Sequence, residues 1–198
     1  GFAKLSDKIE LLKVLLKKVD KVIFAGLVTF TFLKAQGHNV GKTPIDAKKI
    51  RTAKLLLKKY KDKIVLPIDV KVAISESSKS ITVLINNIPD KYIGYDIGPE
   101  SFKLFPKNLS KAKTIFWNGP LGMFENRNYA RSTHKMAKLL SKKRARVMVG
   151  GGDTVNAIKR FEKDFYHIST GGGASLELIS GKKLPAIIAL EDNSRKFK

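Results

Sequence analysis

Apolar positions along the chain switch repeatedly between two periods. In residues 6–19, Ile9, Leu12, Leu15, Leu16 and Val19 recur at helical spacing, with Ser6 placed as an N-cap and Asp7 suited to the positive end of the helix dipole. Residues 21–26 (KVIFAG) are short, β-branched and apolar, and Gly26 stops them as a strand. Residues 27–37 predict a helix ending at Gly37. In 48–63, Ile50, Ala53, Leu57 and Tyr60 recur near helical spacing, which predicts an amphipathic helix with a basic outer face. Residues 63–74 and 78–86 read as extended segments around a polar turn, and 92–98 as a short strand. The segment 99–112 predicts a helix that opens with Pro99 at its first position. Strands at 113–120, 145–152 and 166–172 then alternate with helices at 126–143, 153–163 and 173–181, the last closed by Gly181.

Strands that are continuous apolar runs, alternating with helices, predict a parallel sheet covered on both faces. The expected fold is therefore α/β, a Rossmann-like three-layer α/β/α arrangement with a mainly parallel sheet. No linker and no solenoid-type repeat divides the 198 residues, and 43% hydrophobic content supports one core. No run approaches the roughly 20 apolar residues of a membrane span, and no signal segment opens the chain. The first residue is Gly1 rather than Met, so the sequence is expected to be part of a longer one. The absence of cysteine excludes disulfides and thiolate metal sites and fits a reducing, cytoplasmic setting. His38, His134 and His167 lie far apart and give no zinc-ligand spacing.

The formal net charge is +22, from 39 Lys or Arg against 17 Asp or Glu. Such an excess fits a polyanion binder, and it fits equally a lysine-rich set of solvated helix faces. No zinc finger and no aromatic RNA-binding motif accompanies it, so specific nucleic-acid recognition is not expected. Weak, salt-sensitive attraction to polyanions is.

The glycines carry more information. Gly26, Gly98, Gly119, Gly150 to Gly152 and Gly171 to Gly173 all fall where expected strands end. Ligands of open α/β sheets sit beyond those ends. Glycine lets the backbone approach a ligand, and the following helix presents free N–H groups and a positive dipole end to an anion. A strand–helix turn also favours glycine for its own sake, but two triple-glycine turns point to a phosphate-bearing ligand. Common fingerprints do not account for them. GHNVGKT at 37–43 is one residue short of a Walker loop and runs into Pro44, and neither G-x-G-x-x-G after a strand nor G-x-S-x-G occurs. Asp153 at the mouth of one glycine turn is a candidate Mg²⁺ ligand and equally a candidate helix cap, and Thr154 adds a hydroxyl. Lys4 and Lys8, four apart, are expected on one face at the start of the first helix, where two ammonium groups would neutralise a transferring phosphoryl group.

GFAKLSDKI, FTFLKAQG, DIGPES, WNGPLGMFE, GGGDT and HISTGGGASLELISGKKLP occur in order along residues 1–185. Together they closely resemble the C-terminal, nucleotide-binding half of the phosphoglycerate kinase family, from Gly1 to about residue 190. The resemblance implies a phosphotransferase that moves a phosphoryl group reversibly between 1,3-bisphosphoglycerate and Mg-ADP, giving 3-phosphoglycerate and ATP. It implies Mg²⁺ and ADP or ATP as ligands, a monomer that closes by hinge bending, and an acyl substrate held by an N-terminal half outside these residues. Such a half alone is not expected to catalyse, because positioning both substrates is most of the work. By the same resemblance Lys4 meets the phosphoryl group, Lys8 the remaining phosphates, and Gly171, Gly172 and Gly173 face the group in flight. Asn118, Gly119, Pro120 and Leu121 line the nucleotide site, Glu125 bonds the ribose hydroxyls, and Gly98 lies near the adenine. Asp153 holds Mg²⁺, while Thr154, Gly150, Gly151 and Gly152 hold phosphate oxygens.

The chain also departs from the family pattern. Phe2 stands where members usually have glycine, which is expected to put a large ring beside the phosphoryl path. Ala25, Gly26 and Leu27 replace a triple glycine, so Leu27 is expected at the adenine pocket, and residues 71–80 lose an acidic, polar character. Alternative functions follow: a non-catalytic binding protein with an eroded nucleotide pocket, or a basic polyanion-binding module. The family's central strand before the first turn is not among these residues, so either the sheet is expected to show a gap or exposed edges, or that strand comes from sequence beyond these residues.

Overall fold

The structure is a computed structural model that describes residues 1–6 and 8–196; the expected dipole partner Asp7 lies outside the described residues. Its strands are β1 (Val22–Ile23), β2 (Ile64–Val65), β3 (Asp69–Ala73), β4 (Ile81–Leu84), β5 (Ile93–Ile97), β6 (Thr114–Asn118), β7 (Arg146–Gly150) and β8 (His167–Ser169). Its helices are α1 (Ile9–Lys18), α2 (Val28–Ala35), α3 (Ile50–Lys59), α4 (Pro99–Leu109), α5 (Arg131–Leu140), α6 (Gly152–Ile158), α7 (Gly172–Ser180) and α8 (Pro185–Lys196).

Two apolar clusters set the layers. Ile115, Trp117, Val147 and Val149 of the parallel strands pack with Phe105 of α4, Met136, Ala137 and Leu140 of α5, and Ala157 and Ile158 of α6. On the other side, Leu5 joins Ile9, Leu12 and Leu16 of α1, Phe24, Val28 and Phe32 of the β1–α2 region, and Ala53 and Leu56 of α3. The β1 segment lies between them and alternates as a strand must: Ile23 and Ala25 face the first cluster, Val22 and Phe24 the second. The result is the expected three-layer α/β/α arrangement.

The sheet is not continuous. β1 pairs parallel with β2, and β6, β7 and β8 form a second parallel ladder in that order. Among the described residues no ladder joins β1 to β6. Their ends are bridged instead by Gly26 N–H to the Leu121 carbonyl at 3.0 Å and by the Gly1 amine to the Asn118 carbonyl at 2.6 Å. This is the gap expected from the sequence. Residues 63–74, expected as one extended run, divide at Pro67 into β2 and β3, because proline has no N–H for a ladder. β3 then pairs antiparallel with β4 and β5 over a third cluster that includes Phe30, Leu33, Val70 and Val72.

Several helix ends differ from expectation. α1 starts at Ile9 with Lys8 in the capping position, so Ser6 is not its cap; the Ser6 N–H donates to Asp46 Oδ2 at 2.8 Å. α5 starts at Arg131, because Asn126 Oδ1 accepts the Asn128 N–H and holds residues 126–129 in a turn. α6 tightens after Ile158 into a 3-10 segment, Lys159–Asp164. α8 was not expected; all of its residues are exposed.

Candidate functional site

β6, β7 and β8 run parallel and end side by side at Asn118, Gly150 and Ser169. Asn118 Nδ2 donates to the Gly150 carbonyl at 2.7 Å, and Gly151 N–H donates to the Ser169 carbonyl at 2.9 Å. Gly119 N–H donates to Thr154 Oγ1 at 2.7 Å. These bonds tie the three strand ends and α6 into one rim.

The two triple-glycine turns touch there. A Cβ on Gly172 would lie 2.6 Å from Gly151 Cα and 2.8 Å from Asn118 Nδ2. Gly151 has φ +99°, a left-handed conformation that other residues adopt only with strain. At these positions the chain's own packing demands glycine. Gly152 and Gly173 are different. A Cβ on Gly152 would meet nothing within 4 Å, and one on Gly173 would meet only Lys8 Nζ at 3.9 Å. Neither has positive φ. No contact within the chain requires glycine at these two positions. Both lie in the first turns of helices, where N–H groups lack partners within the helix and the dipole is positive.

The charged residues are placed as follows. Asp153 is exposed in the first turn of α6. Lys8 is half-buried, its ammonium group beside Gly173. Lys4 is exposed, and both lysines precede α1, so they do not share a helical face as the spacing implied. Thr154 is buried and its hydroxyl oxygen accepts the Gly119 N–H. Leu121 sits in the core; its N–H donates to Thr133 Oγ1 at 3.0 Å and its carbonyl accepts from Gly26. Pro120 is half-buried and Glu125 exposed; neither they nor Gly98 take part in the rim's hydrogen bonds. The rim thus unites Lys8, Asn118, Gly119, Gly151, Gly152, Asp153, Thr154, Gly172 and Gly173.

Phe2 follows Gly1, whose N–H donates to the Asn118 carbonyl of the rim. Its ring meets Phe24 edge-on, centroids 6.4 Å apart at 73°, within the cluster under α1 to α3. Phe24 in turn stacks on Phe32 at 4.5 Å. Leu27 is half-buried at the position preceding α2.

Two buried carboxylates escaped the sequence reading. Asp69 accepts N–H bonds from Glu100 at 3.0 Å and Ser101 at 2.7 Å, and a bond from Ser101 Oγ at 2.6 Å, so it caps α4. A Cβ on Gly98 would strike that carboxylate, which is why glycine precedes α4. Asp96 accepts from Ile97 N–H at 2.8 Å and from Ser132 Oγ, and its carboxylate would collide with a Cβ on Gly122. Burial pushes the Asp96 carboxyl up to about 6, against the hydrogen bonds that favour its ionised form. Ser101 and Ser132 lie 32 and 36 residues from their partners, so no local spacing could have signalled either pair.

A three-layer α/β domain whose parallel strands end in a glycine rim belongs to the class that receives ligands beyond its strand ends. A family model described as phosphoglycerate kinase matches residues 1–182. The chain belongs to the phosphoglycerate kinase family. It is 46% identical over 197 residues to the phosphoglycerate kinase of Lactobacillus delbrueckii subsp. bulgaricus, covering 97% of this chain and 49% of that protein. The Staphylococcus aureus (strain JH9) phosphoglycerate kinase is 47% identical over 197 residues, covering 97% and 50%. The structure of phosphoglycerate kinase from Coxiella burnetii superposes with a TM-score of 0.88 at 38% identity, covering 94% of this chain and 50% of that one. The structure from Pyrococcus horikoshii OT3 gives 0.86 at 27% identity, covering 99% and 51%. The chain therefore spans about half the length of the curated relatives it matches. Among the described residues no helix is long and apolar enough to cross a membrane.

Proposed function

We propose that residues 1–198 form the nucleotide-binding C-terminal domain of a phosphoglycerate kinase, a cytoplasmic, monomeric enzyme of glycolysis. In the whole enzyme the bond between phosphorus and the acyl oxygen of 1,3-bisphosphoglycerate breaks. A new bond forms to a terminal phosphate oxygen of ADP, leaving ATP and 3-phosphoglycerate. The acyl substrate is held by the other half, and hinge closure brings the two together.

One observation carries the assignment: Gly152 and Gly173 leave open space that no packing requirement explains, at two helix N-termini that meet through Gly151 and Gly172. Phosphate oxygens fit a cradle of that kind. Lys8 flanks it with positive charge, and Asp153 offers an exposed carboxylate. Among the described residues no cluster of three or more His, Asp, Glu or Cys could hold a metal. Mg²⁺ commonly takes one or two protein carboxylates and completes its shell with phosphates and water. Asp153 would hold it, and when bound it neutralises phosphate charge and fixes the phosphates for in-line transfer. Lys4, on the segment leading into α1, is assigned to the phosphoryl group in transit, and the first N–H groups of α7 to its developing charge. Pro120, Leu121, Gly98 and Glu125 are assigned to the adenosine side. The ring of Phe2 has an apolar partner in Phe24, which supports this function over an eroded pocket.

The test is ATP formation from 1,3-bisphosphoglycerate and Mg-ADP by the intact protein that carries this chain. Asp153→Ala should lower kcat/KM by about a hundredfold or more, in the range that loss of one electrostatic contact to the reacting phosphates produces. No ATP formation by the unmodified protein, or full activity in the variant, would refute the assignment.

A further inference from the structure

The turn after β6 joins the phosphate rim to Pro120 and Leu121, and groups from four elements hold it. The Gly119 N–H donates to Thr154 Oγ1 of α6 at 2.7 Å. The Gly119 carbonyl accepts from Trp117 Nε1 of β6 at 2.7 Å. The Leu121 N–H donates to Thr133 Oγ1 of α5 at 3.0 Å, and the Leu121 carbonyl accepts the Gly26 N–H of the β1–α2 turn at 3.0 Å. These bonds fix the residues on either side of Pro120, which has no N–H of its own. Gly119 turns the chain at φ +87°, a conformation other residues adopt only with strain.

Thr154 already belongs to the rim. Thr133 and Trp117 do not, and both are buried. Thr133 sits in the first turn of α5, the helix that sends Met136, Ala137 and Leu140 into the first core cluster, where Trp117 also packs. The Leu121 N–H lies in the same core, so the Thr133 oxygen is its acceptor in place of water. Without that oxygen the N–H stays unpaired and buried, which costs more than the bond itself contributes. The turn can escape this cost only by shifting, and it carries Gly119 and Pro120 with it. Thr29 of α2 supplies the contrast. It is equally buried, yet its Oγ1 has no hydrogen-bond partner among the described residues. A core hydroxyl is thus not used everywhere in this fold, whereas that of Thr133 is. We propose that Thr133 and Trp117 are positioning residues for the nucleotide: they hold Leu121 and Gly119 so that Pro120 and the rim meet Mg-ADP in one preorganised arrangement. They act through the turn and not by touching the ligand. The role rests on the nucleotide-binding function proposed above.

The experiment uses the intact protein that carries this chain. It measures Kd for Mg-ADP by calorimetry, and kcat with the KM of each substrate in ATP formation. Thr133→Val keeps the shape and removes the acceptor, Thr133→Ser keeps the oxygen, and Thr29→Val removes the unused hydroxyl. Thermal melts check that the variants fold. Thr133→Val should raise Kd and KM for Mg-ADP by about tenfold. Its kcat and its KM for 1,3-bisphosphoglycerate should stay within about twofold, because the lost binding is common to ground and transition states. Thr133→Ser should return Kd to within about threefold of the unmodified protein, and Thr29→Val should leave it unchanged. Trp117→Phe, which removes the indole N–H and keeps an aromatic ring in the core, should also raise Kd by about fivefold or more, and it carries the test if Thr133→Val does not fold. Unchanged Mg-ADP binding by Thr133→Val or, in its place, by Trp117→Phe would overturn the proposal. So would equal weakening by Thr29→Val, or a fall in kcat with both KM values raised alike, since either marks a general loosening of the core. Absence of Mg-ADP binding by the unmodified protein would overturn the proposed function itself, and this role with it.

Discussion

Replacing single glycines by alanine separates the glycines that packing needs from those left for a ligand. At Gly172 the new Cβ would sit 2.6 Å from the backbone of Gly151 and 2.8 Å from the Asn118 amide, which is itself bonded to Gly150. Ordinary van der Waals contact begins near 3.4 Å, so the two turns must part by roughly half an ångström or more, an overpacking strain of about 1–3 kcal/mol. At Gly152 and Gly173 the same methyl group meets no neighbour closer than 3.9 Å and no left-handed backbone. There the lower backbone entropy of alanine should leave stability unchanged or raise it by about 0.5–1 kcal/mol. The methyl would occupy the space assigned to phosphate oxygens, so nucleotide affinity should fall by about tenfold or more, or about 1.4 kcal/mol. Thermal melts and Mg-ADP titrations of the three variants measure both quantities. If Gly152→Ala and Gly173→Ala bind Mg-ADP as the unmodified protein does, the open space is not the phosphate site. If they lose as much stability as Gly172→Ala, the packing argument is wrong.

Further consequences follow from the buried polar groups. Asp69→Ala removes the acceptor of three bonds at the start of α4 and should cost about 3 kcal/mol in a denaturant titration; a loss below 1 kcal/mol would contradict its capping role. Because the Asp96 carboxyl is raised from 3.8 to about 6 in the fold, the native state holds the proton more tightly than the unfolded chain. Stability should fall as pH rises from about 4 through 6, by at most about 3 kcal/mol, and Asp96→Asn should flatten that dependence.

The layers of the fold were legible because β1, β6 and β7 are short apolar runs and α1 to α5 carry apolar stripes. What the pattern hid was pairing. Residues 69–73 and 81–84 have the composition of strands, but their antiparallel order depends on Pro67 ending β2, a proline whose effect is visible only with its neighbours placed. The glycine rim was legible as a candidate site, yet in the sequence its glycines look alike. Only geometry separates Gly151 and Gly172, fixed by contact, from Gly152 and Gly173, which face open space. The contact of Phe2 with Phe24 was not legible because the position of Phe2 in the motif gives no side-chain direction. Asp69 was unreadable because the helix it caps begins thirty residues later.

The central claim is that the rim of Asn118, Gly151, Gly152, Asp153 and Gly173 binds Mg-ADP. Calorimetric titration of the intact protein with ADP, with and without Mg²⁺ and at two salt concentrations, tests it directly, alongside Asp153→Ala. The account predicts Mg²⁺-dependent binding that Asp153→Ala weakens and that changes little with salt. No binding, or binding that collapses with salt and is indifferent to Asp153, would contradict it.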